Sequence, residues 1–317
     1  MTFLFFSSLS LPYLQTWEAS CQAVAWGPGL PAVAWGPGLP VITYIKSRGL
    51  IGSYSIHPQP QNKMQCDIFY QNLRFDFVTN SIVEDVTSID SKQFHVNLLG
   101  SKNLTFQRFS VKAPGHSPNT DGIHIGRSEE INIIDSNIMT GDDCISIGRG
   151  SRQVRITNVR CGHGHGISIG SLGKYEKEEP VSGIYVKNCT IYDTDNGVRI
   201  KTWPALHGGS VSNIQFEDIV MQNVSNPIII DQMYCPHNEC NRKMPSKVKI
   251  SDVIFKNIRG SSRTPTAVQL TCSSSVPCKN VELSNVNLQY TGSKGPAKSI
   301  CTNVKPKIIG KLIPRGC

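Results

Sequence analysis

The 317-residue sequence contains no apolar run long enough to cross a membrane. Its best stretch, Met1 to Leu14, is short and broken by Ser and Pro, whereas a spanning helix needs about 20 apolar residues. No Cys-x-x-Cys spacing suggests a zinc site, and no Lys/Arg cluster, zinc knuckle or RNA-binding motif marks a nucleic-acid partner. Helical periodicity of useful length is missing after residue 50, which argues against bundles and helical repeats. These absences leave a β-rich chain with neither a membrane nor a nucleic-acid partner expected. With 39% hydrophobic and 17% charged residues, it is folded rather than disordered or coiled-coil.

What is present starts with charge. A formal net charge of +9 attracts polyanions. Because the basic residues are dispersed, acidic polysaccharide is the better match than nucleic acid. Eleven cysteines are many for a cytosolic chain. Cys235/Cys240, Cys272/Cys278 and Cys301/Cys317 form close pairs suited to small disulfide loops. The odd count leaves at least one thiol, and Cys189 aligns with the inward positions Val159, Ile219, Val253 and Val286. Secretion to the cell exterior or wall is therefore expected, in line with Asn-x-Ser/Thr sequons at Asn103, Asn188 and Asn223. Met1 to Leu14 resembles a signal-peptide core but has no basic n-region or clear cleavage site. Residues 1–50 are set apart as an atypical N-terminal segment. Within them Ala23 to Pro31 is repeated unchanged at Ala32 to Pro40, and neither copy suggests helix or strand. Residues 51–317 are expected to form one domain.

That domain is built of repeats. Thr120-Asp-Gly-Ile-His-Ile-Gly126, Asp142-Asp-Cys-Ile-Ser-Ile-Gly148 and His165-Gly-Ile-Ser-Ile-Gly170 superimpose at an interval of about 22 residues, the mark of a solenoid. The series continues as Asn196-Gly-Val-Arg-Ile-Lys, Asn226-Pro-Ile-Ile-Ile-Asp and Thr266-Ala-Val-Gln-Leu-Thr. A second strand series runs Ile131-Asn-Ile-Ile-Asp, Val154-Arg-Ile-Thr-Asn, Ile184-Tyr-Val-Lys-Asn, Ile214-Gln-Phe-Glu-Asp and onward. Its apolar residues alternate with polar ones, and Asp or Asn closes most strands where a sharp turn is needed. A propeller would repeat at about 40–50 residues, which does not fit. The expected fold is all-β, a single-stranded right-handed parallel β-helix. Its core stacks Ile123, Ile145, Ile167, Val198, Ile228 and Val268, with Ile125, Ile147, Ile169, Ile200, Ile230 and Leu270 beside them.

Fixing those residues inward sends Asn97, His124, Ser146, Ser168, Arg199 and Ile229 outward by alternation. Asp121, Asp143, His165 and Asn196 then line one edge, with Asp142 adjacent, and Lys201 and Asp231 the other. Neighbouring carboxylates resist joint ionisation, so one is pushed to keep a proton. A protonated acid beside an ionised one is what glycosidic cleavage requires. Arg199 and Lys201 suit the carboxylate of a sugar acid, one as a fork and one as a point charge. Blander readings exist for each residue alone: a lone Asp at a solenoid turn is usually structural, and Asp142-Asp143 would suit calcium. Joint placement on adjacent coils weighs against both.

Four of these segments carry a family resemblance. Asn119-Thr-Asp121, Gly141-Asp-Asp143, Gly164-His-Gly166 and Arg199-Ile-Lys201 resemble, in order, the four signature motifs of glycoside hydrolase family 28, the polygalacturonases. Ser117 to Arg127, Gly170 to Tyr175 and Asn226 to Pro236 are most similar to its plant, pollen-type exo-acting members. The resemblance implies inverting, metal-free hydrolysis of α-1,4-linked galacturonic acid in pectin, acting at chain ends with no cofactor; a monomer is expected. It implies Asp142 as general acid, Asp121 and Asp143 as the pair on the attacking water, and His165 as support for the acid's protonation. Arg199 and Lys201 would bind substrate carboxylate, Tyr234 would lie near the cleaved sugar, and His124 would touch substrate. Cys144 and Cys161 would pair. Two departures stand out: His163 sits where relatives carry Gly or Pro, adding an imidazole near His165. Ahead of about Gln71 only Gln15 to Cys21 resembles the family's capping helix. Endo-acting cleavage, a pectate-lyase-like elimination and an inactive pectin-binding solenoid are the alternatives.

Overall fold

The computed structural model describes residues 71–290 and 292–317, and the backbone of three short strands at Val33–Gly36, Leu39–Ile42 and Tyr44–Ser47. The capping-helix resemblance at Gln15 to Cys21, and both Cys21 and Cys66, lie outside the described residues. One expectation is corrected. The second copy of the tandem is not strand-free, because Val33–Gly36 pairs antiparallel with Leu39–Ile42. Val33, Trp35, Val41 and Ile42 are strand-forming types. Tyr44–Ser47 runs antiparallel to Thr79–Glu84, the first strand of its face.

From residue 71 the chain winds as a right-handed parallel β-helix. Each coil contributes one strand to a nine-stranded parallel sheet, in the order 73–76, 96–99, 123–126, 145–147, 167–172, 196–202, 226–231, 266–271 and 298–302. Two further strands complete most coils, as in Glu129–Ile134 followed by Asn137–Thr140. From Gly208–Val224 onward these two merge into one long strand. The register matches the repeat: Ile123 pairs with Ile145, Ile145 with Ile167, Ile167 with Val198, Val198 with Ile228, and Ile228 with Val268. Both expected aliphatic columns are fully buried. Phe106 and Phe109 meet edge to face at 5.4 Å, and Phe216 stacks on Phe255 at 5.3 Å, filling wider cross-sections of the core.

The corners explain why Asp and Asn close the strands. Asp135, Asn158, Asn188, Asp218, Asn257 and Asn285 all have φ between 51° and 56°, a region that these short polar side chains tolerate. Stacked coils let several bond one another: Asn158 donates to Asp135 at 2.9 Å and Asn257 to Asp218 at 2.9 Å. Cys144–Cys161, Cys235–Cys240, Cys272–Cys278 and Cys301–Cys317 are bonded, and Cys189 is a buried free thiol, as expected from its inward register. Among the described residues no helix is long and apolar enough to cross a membrane.

Candidate active site

The outward face of the nine-stranded sheet carries the polar column. His124 is in register with Asn97 and Ser146, Ser146 with Ser168, Ser168 with Arg199, and Arg199 with Ile229, while Lys201 pairs with Asp231. The acids enter from the turn that precedes each strand and lean diagonally onto the next coil. Ser146 donates to Asp121 at 2.6 Å, and Ser168 donates to Asp143 at 2.7 Å.

Asp143 is the most heavily bonded of them. Arg199 donates to its Oδ1 at 2.8 Å and Lys201 to its Oδ2 at 2.7 Å, with all three side chains almost fully buried. Burial alone would raise the Asp143 pKa, but Lys201 and Arg199 outweigh it and hold the carboxyl at about 2. Asp121 lacks such partners. Burial, then the charges of Asp143 and Asp142, push it up to about 8, so it is the carboxyl that keeps its proton in the free site. Asp142 faces the cleft, with its Oδ1 accepting from the Asp143 backbone N–H at 2.7 Å. The same oxygen lies 2.9 Å from His165 Nδ1. Burial raises Asp142, yet the His165 hydrogen bond and the backbone N–H leave it below the usual range. That same bond raises His165, whose Nδ1–H is therefore the donor.

His124 is in the cleft but differs from the acids. Its Nδ1 lies 2.7 Å from Ser146 Oγ, and its ring stacks on Phe94 at 4.7 Å. Burial and Lys201 lower its pKa to about 4, so the ring is neutral. The donor in that contact is set by the tautomer of the imidazole. Tyr234 lies over Lys201 at 5.2 Å and over Arg199 at 5.9 Å, with Trp203 edge-on behind it. His163 does not add an imidazole to this cluster by any bond: it ends the strand Arg160–His163 with φ 60° and packs edge-on against Tyr192 at 5.9 Å.

Three participants escaped the sequence. Asp195 Oδ2 lies 3.8 Å from His165 Nε2 and is held by Arg263 at 3.1 Å. Phe94 supports His124, and Lys174 sits over Trp203 at 4.7 Å. Asp195 precedes Asn196 in the strand series and was findable from that register; Phe94 and Lys174 lie in irregular segments with no such signal. Donor atoms of Asp142, Asp143 and His165 lie within 4.8 Å of one another, a spacing that a metal ion accepts. Both oxygens of Asp143 already receive cationic donors, so a divalent ion would have to displace them.

These buried titrations oppose one another. The fold keeps His95 neutral through burial, lowering it to about 4, and does the same to His124. The unfolded chain then binds more protons between about pH 4 and 6.5, and stability rises with pH across that window. Asp121, raised from 3.8 to about 8, has the opposite sign: stability falls as pH rises between those values. His165, also raised, adds to the fall above pH 6.5. Each fully buried group contributes a slope of about 1.4 kcal/mol per pH unit within its window. Urea midpoints measured from pH 4 to 9 are therefore expected to peak near pH 6.5; a flat profile would refute these protonation states.

The fold and its cleft define a class: a parallel β-helix that gathers carboxylates, an imidazole and two cations on one outward face. Residues 52–311 match the family described as Glycosyl hydrolases family 28, and the chain belongs to it. It is 56% identical over 253 residues to a "Polygalacturonase" of Nicotiana tabacum, covering 80% of this chain and 64% of that one. It is 58% identical over 252 residues to an "Exopolygalacturonase" of Oenothera organensis, covering 80% and 70%. The chain thus spans about two thirds of the length of these relatives. Among solved structures, a polygalacturonase from Erwinia carotovora superimposes with a TM-score of 0.59 at 27% identity over 75% of this chain and 60% of that one. The endo-xylogalacturonan hydrolase of Aspergillus tubingensis reaches 0.67 at 22% identity over 76% and 68%, and shows the shared fold.

Proposed function

We propose that residues 51–317 form a catalytic unit that hydrolyses α-1,4-galacturonosyl linkages of pectin from chain ends, releasing galacturonic acid. One observation carries this reading: Asp121, Asp142, Asp143, His165, Arg199 and Lys201, drawn from four consecutive coils, converge on one cleft. The exo-acting relative and the pollen-type motifs support action at chain ends.

In the free site Asp143 is too strongly paired to act as a base. A galacturonate carboxylate entering the cleft competes for Arg199 and Lys201 and releases Asp143, whose pKa then rises toward a useful range. The added negative charge also draws the proton from His165 Nδ1 along its hydrogen bond to Asp142. Asp142 then gives that proton to the glycosidic oxygen as the C1–O bond breaks. Water held at Asp121 and Asp143 attacks C1 and loses its proton to Asp143. Asp142 and Asp143 approach more closely than the roughly 6.5–9.5 Å usual for inverting pairs. Inversion therefore rests on the family, with the water placed between Asp143 and Asp121. No cofactor enters these steps. The bonded cysteines and the extracellular role of pectin support a secreted, wall-located enzyme.

Incubation with trigalacturonic acid, followed by chromatography and proton NMR of the fresh product, is the test. Monomer with inverted anomeric configuration is expected. Medium-length products from longer oligomers indicate endo action, unsaturated products indicate elimination, and binding without new reducing ends overturns the hydrolytic reading.

A further inference from the structure

The proton transfer described above uses one side of the His165 ring, its Nδ1 toward Asp142. The other side faces an acid as well. The turn that carries His165 has no side chain on either flank: a Cβ on Gly164 would run into the carbonyl oxygen of Asp142, and one on Gly166 into that of Asn196. These two glycines let the coils below and above close on the ring. His165 N–H donates to the Asp142 carbonyl at 2.8 Å, and Asp195 N–H donates to the Gly164 carbonyl at 2.8 Å. The backbone ladder therefore seats His165 between Asp142 on one coil and Asp195 on the next.

Arg263 aims that second acid. Its Nε and Nη2 donate to Ser225 Oγ at 3.0 and 2.8 Å, which anchors the guanidinium on the intervening coil. Its Nη2 also donates to Asp195 Oδ1 at 3.1 Å, and Asp195 Oδ2 is left toward His165 Nε2 at 3.8 Å. That distance exceeds a hydrogen bond, so in the free site the contact is one of charge. Asp142 first, and then Asp143, raise the proton affinity of the ring, and Arg199 opposes them. Asp195, with its Arg263 partner, flanks the Nε2 side.

The ring can lose either of two protons. An imidazolium that passes its Nδ1 proton to Asp142 becomes the neutral tautomer with hydrogen on Nε2. One that loses the Nε2 proton keeps Nδ1–H and stays a spectator to the acid. A carboxylate beside Nε2 favours hydrogen there both before and after the transfer. We propose that Asp195 is a positioning residue: aimed by Arg263, it retains the proton on His165 Nε2, so that the ring delivers its other proton through Nδ1 to Asp142. This rests on the hydrolytic reading and deepens it. In the step the Nδ1–H bond breaks, an O–H bond forms on Asp142, and the positive charge of the ring and the negative charge of the carboxylate cancel.

The test is kcat and KM for trigalacturonic acid from pH 4 to 9 in wild type, Asp195→Asn and Asp195→Ala, with the His165 ring titration followed by NMR in the free proteins. Asp195 is 63% exposed, so neither change should cost the fold. Losing the anion lowers the proton affinity of the ring. The alkaline limb of kcat and the ring titration should therefore both move down by about half a unit to one unit, the share left to an exposed charge after screening. Above the limb kcat should fall about three- to tenfold, one unit being a factor of ten in charged ring, with KM little changed. Asp195→Asn, which keeps an oxygen but no charge, should shift the limb as far as Asp195→Ala. In 1 M salt the gap from wild type should narrow. If limb and ring titration stay at the wild-type pH in both variants, with any loss confined to KM or melting temperature, Asp195 only clamps the turn and the proposal falls. No turnover by wild type sinks the hydrolytic reading, while the ring titration still decides whether Asp195 governs His165.

Discussion

Replacing Asp142 with Asn is expected to lower kcat on trigalacturonic acid by about 10²–10⁴-fold, the usual contribution of a positioned acid, without lowering the melting temperature. The geometry explains the second half of that expectation. The Asp143 backbone N–H and His165 Nδ1 both meet Asp142 at Oδ1, so an amide oxygen there keeps both contacts. The amide loses the site for the transferable proton and the charge that raises His165. Kinetics paired with thermal unfolding check this, and a variant that turns over normally would remove Asp142 from the acid role. His165→Gln, by contrast, should shift the pH profile as well as the rate, because the raised imidazole is the proton reservoir.

Replacing Asp143 with Ala should have the largest effect on the fold. It leaves Arg199 and Lys201, each about nine-tenths buried, facing one another without their shared anion. Removing one partner of a buried ion pair costs about 3–5 kcal/mol, because the remaining charge stays desolvated. Chemical denaturation should show that loss, along with inactivity. Asp143→Asn should recover part of the stability, since its side-chain oxygen still accepts from one cation, but not the activity. If Asp143→Ala unfolds at the wild-type midpoint, the triad is not the buried network described.

The division between what the sequence disclosed and what it withheld has a physical basis. In a solenoid, equivalent positions stack at one strand spacing, so a periodic sequence fixes which residues are neighbours along a column. Hence the aliphatic columns, the outward series from Asn97 to Ile229 and the convergence of Asp121, Asp142, Asp143 and His165 were legible. Alternation says which face a side chain takes, but not what it bonds there. Asp143 between Arg199 and Lys201, and the proton on Asp121 rather than Asp142, depend on side-chain direction and burial. The short third-face strands, such as Ser110–Lys112 and Thr190–Tyr192, are too brief to show a period. The segment carrying Lys174 and Tyr175 has no period at all, which is why Lys174 left no mark on the repeat.

The cluster's height within the stack has its own outcome. Among the described residues its strands, 123–126 through 196–202, are the third to sixth of the nine, with two rungs beneath and three above. Each rung of such a column grips only the rungs next to it, so heat loosens the stack from its two mouths inward. Fraying should therefore consume the terminal rungs while the working centre is still wound, and catalysis should outlast the first loss of β-signal on heating.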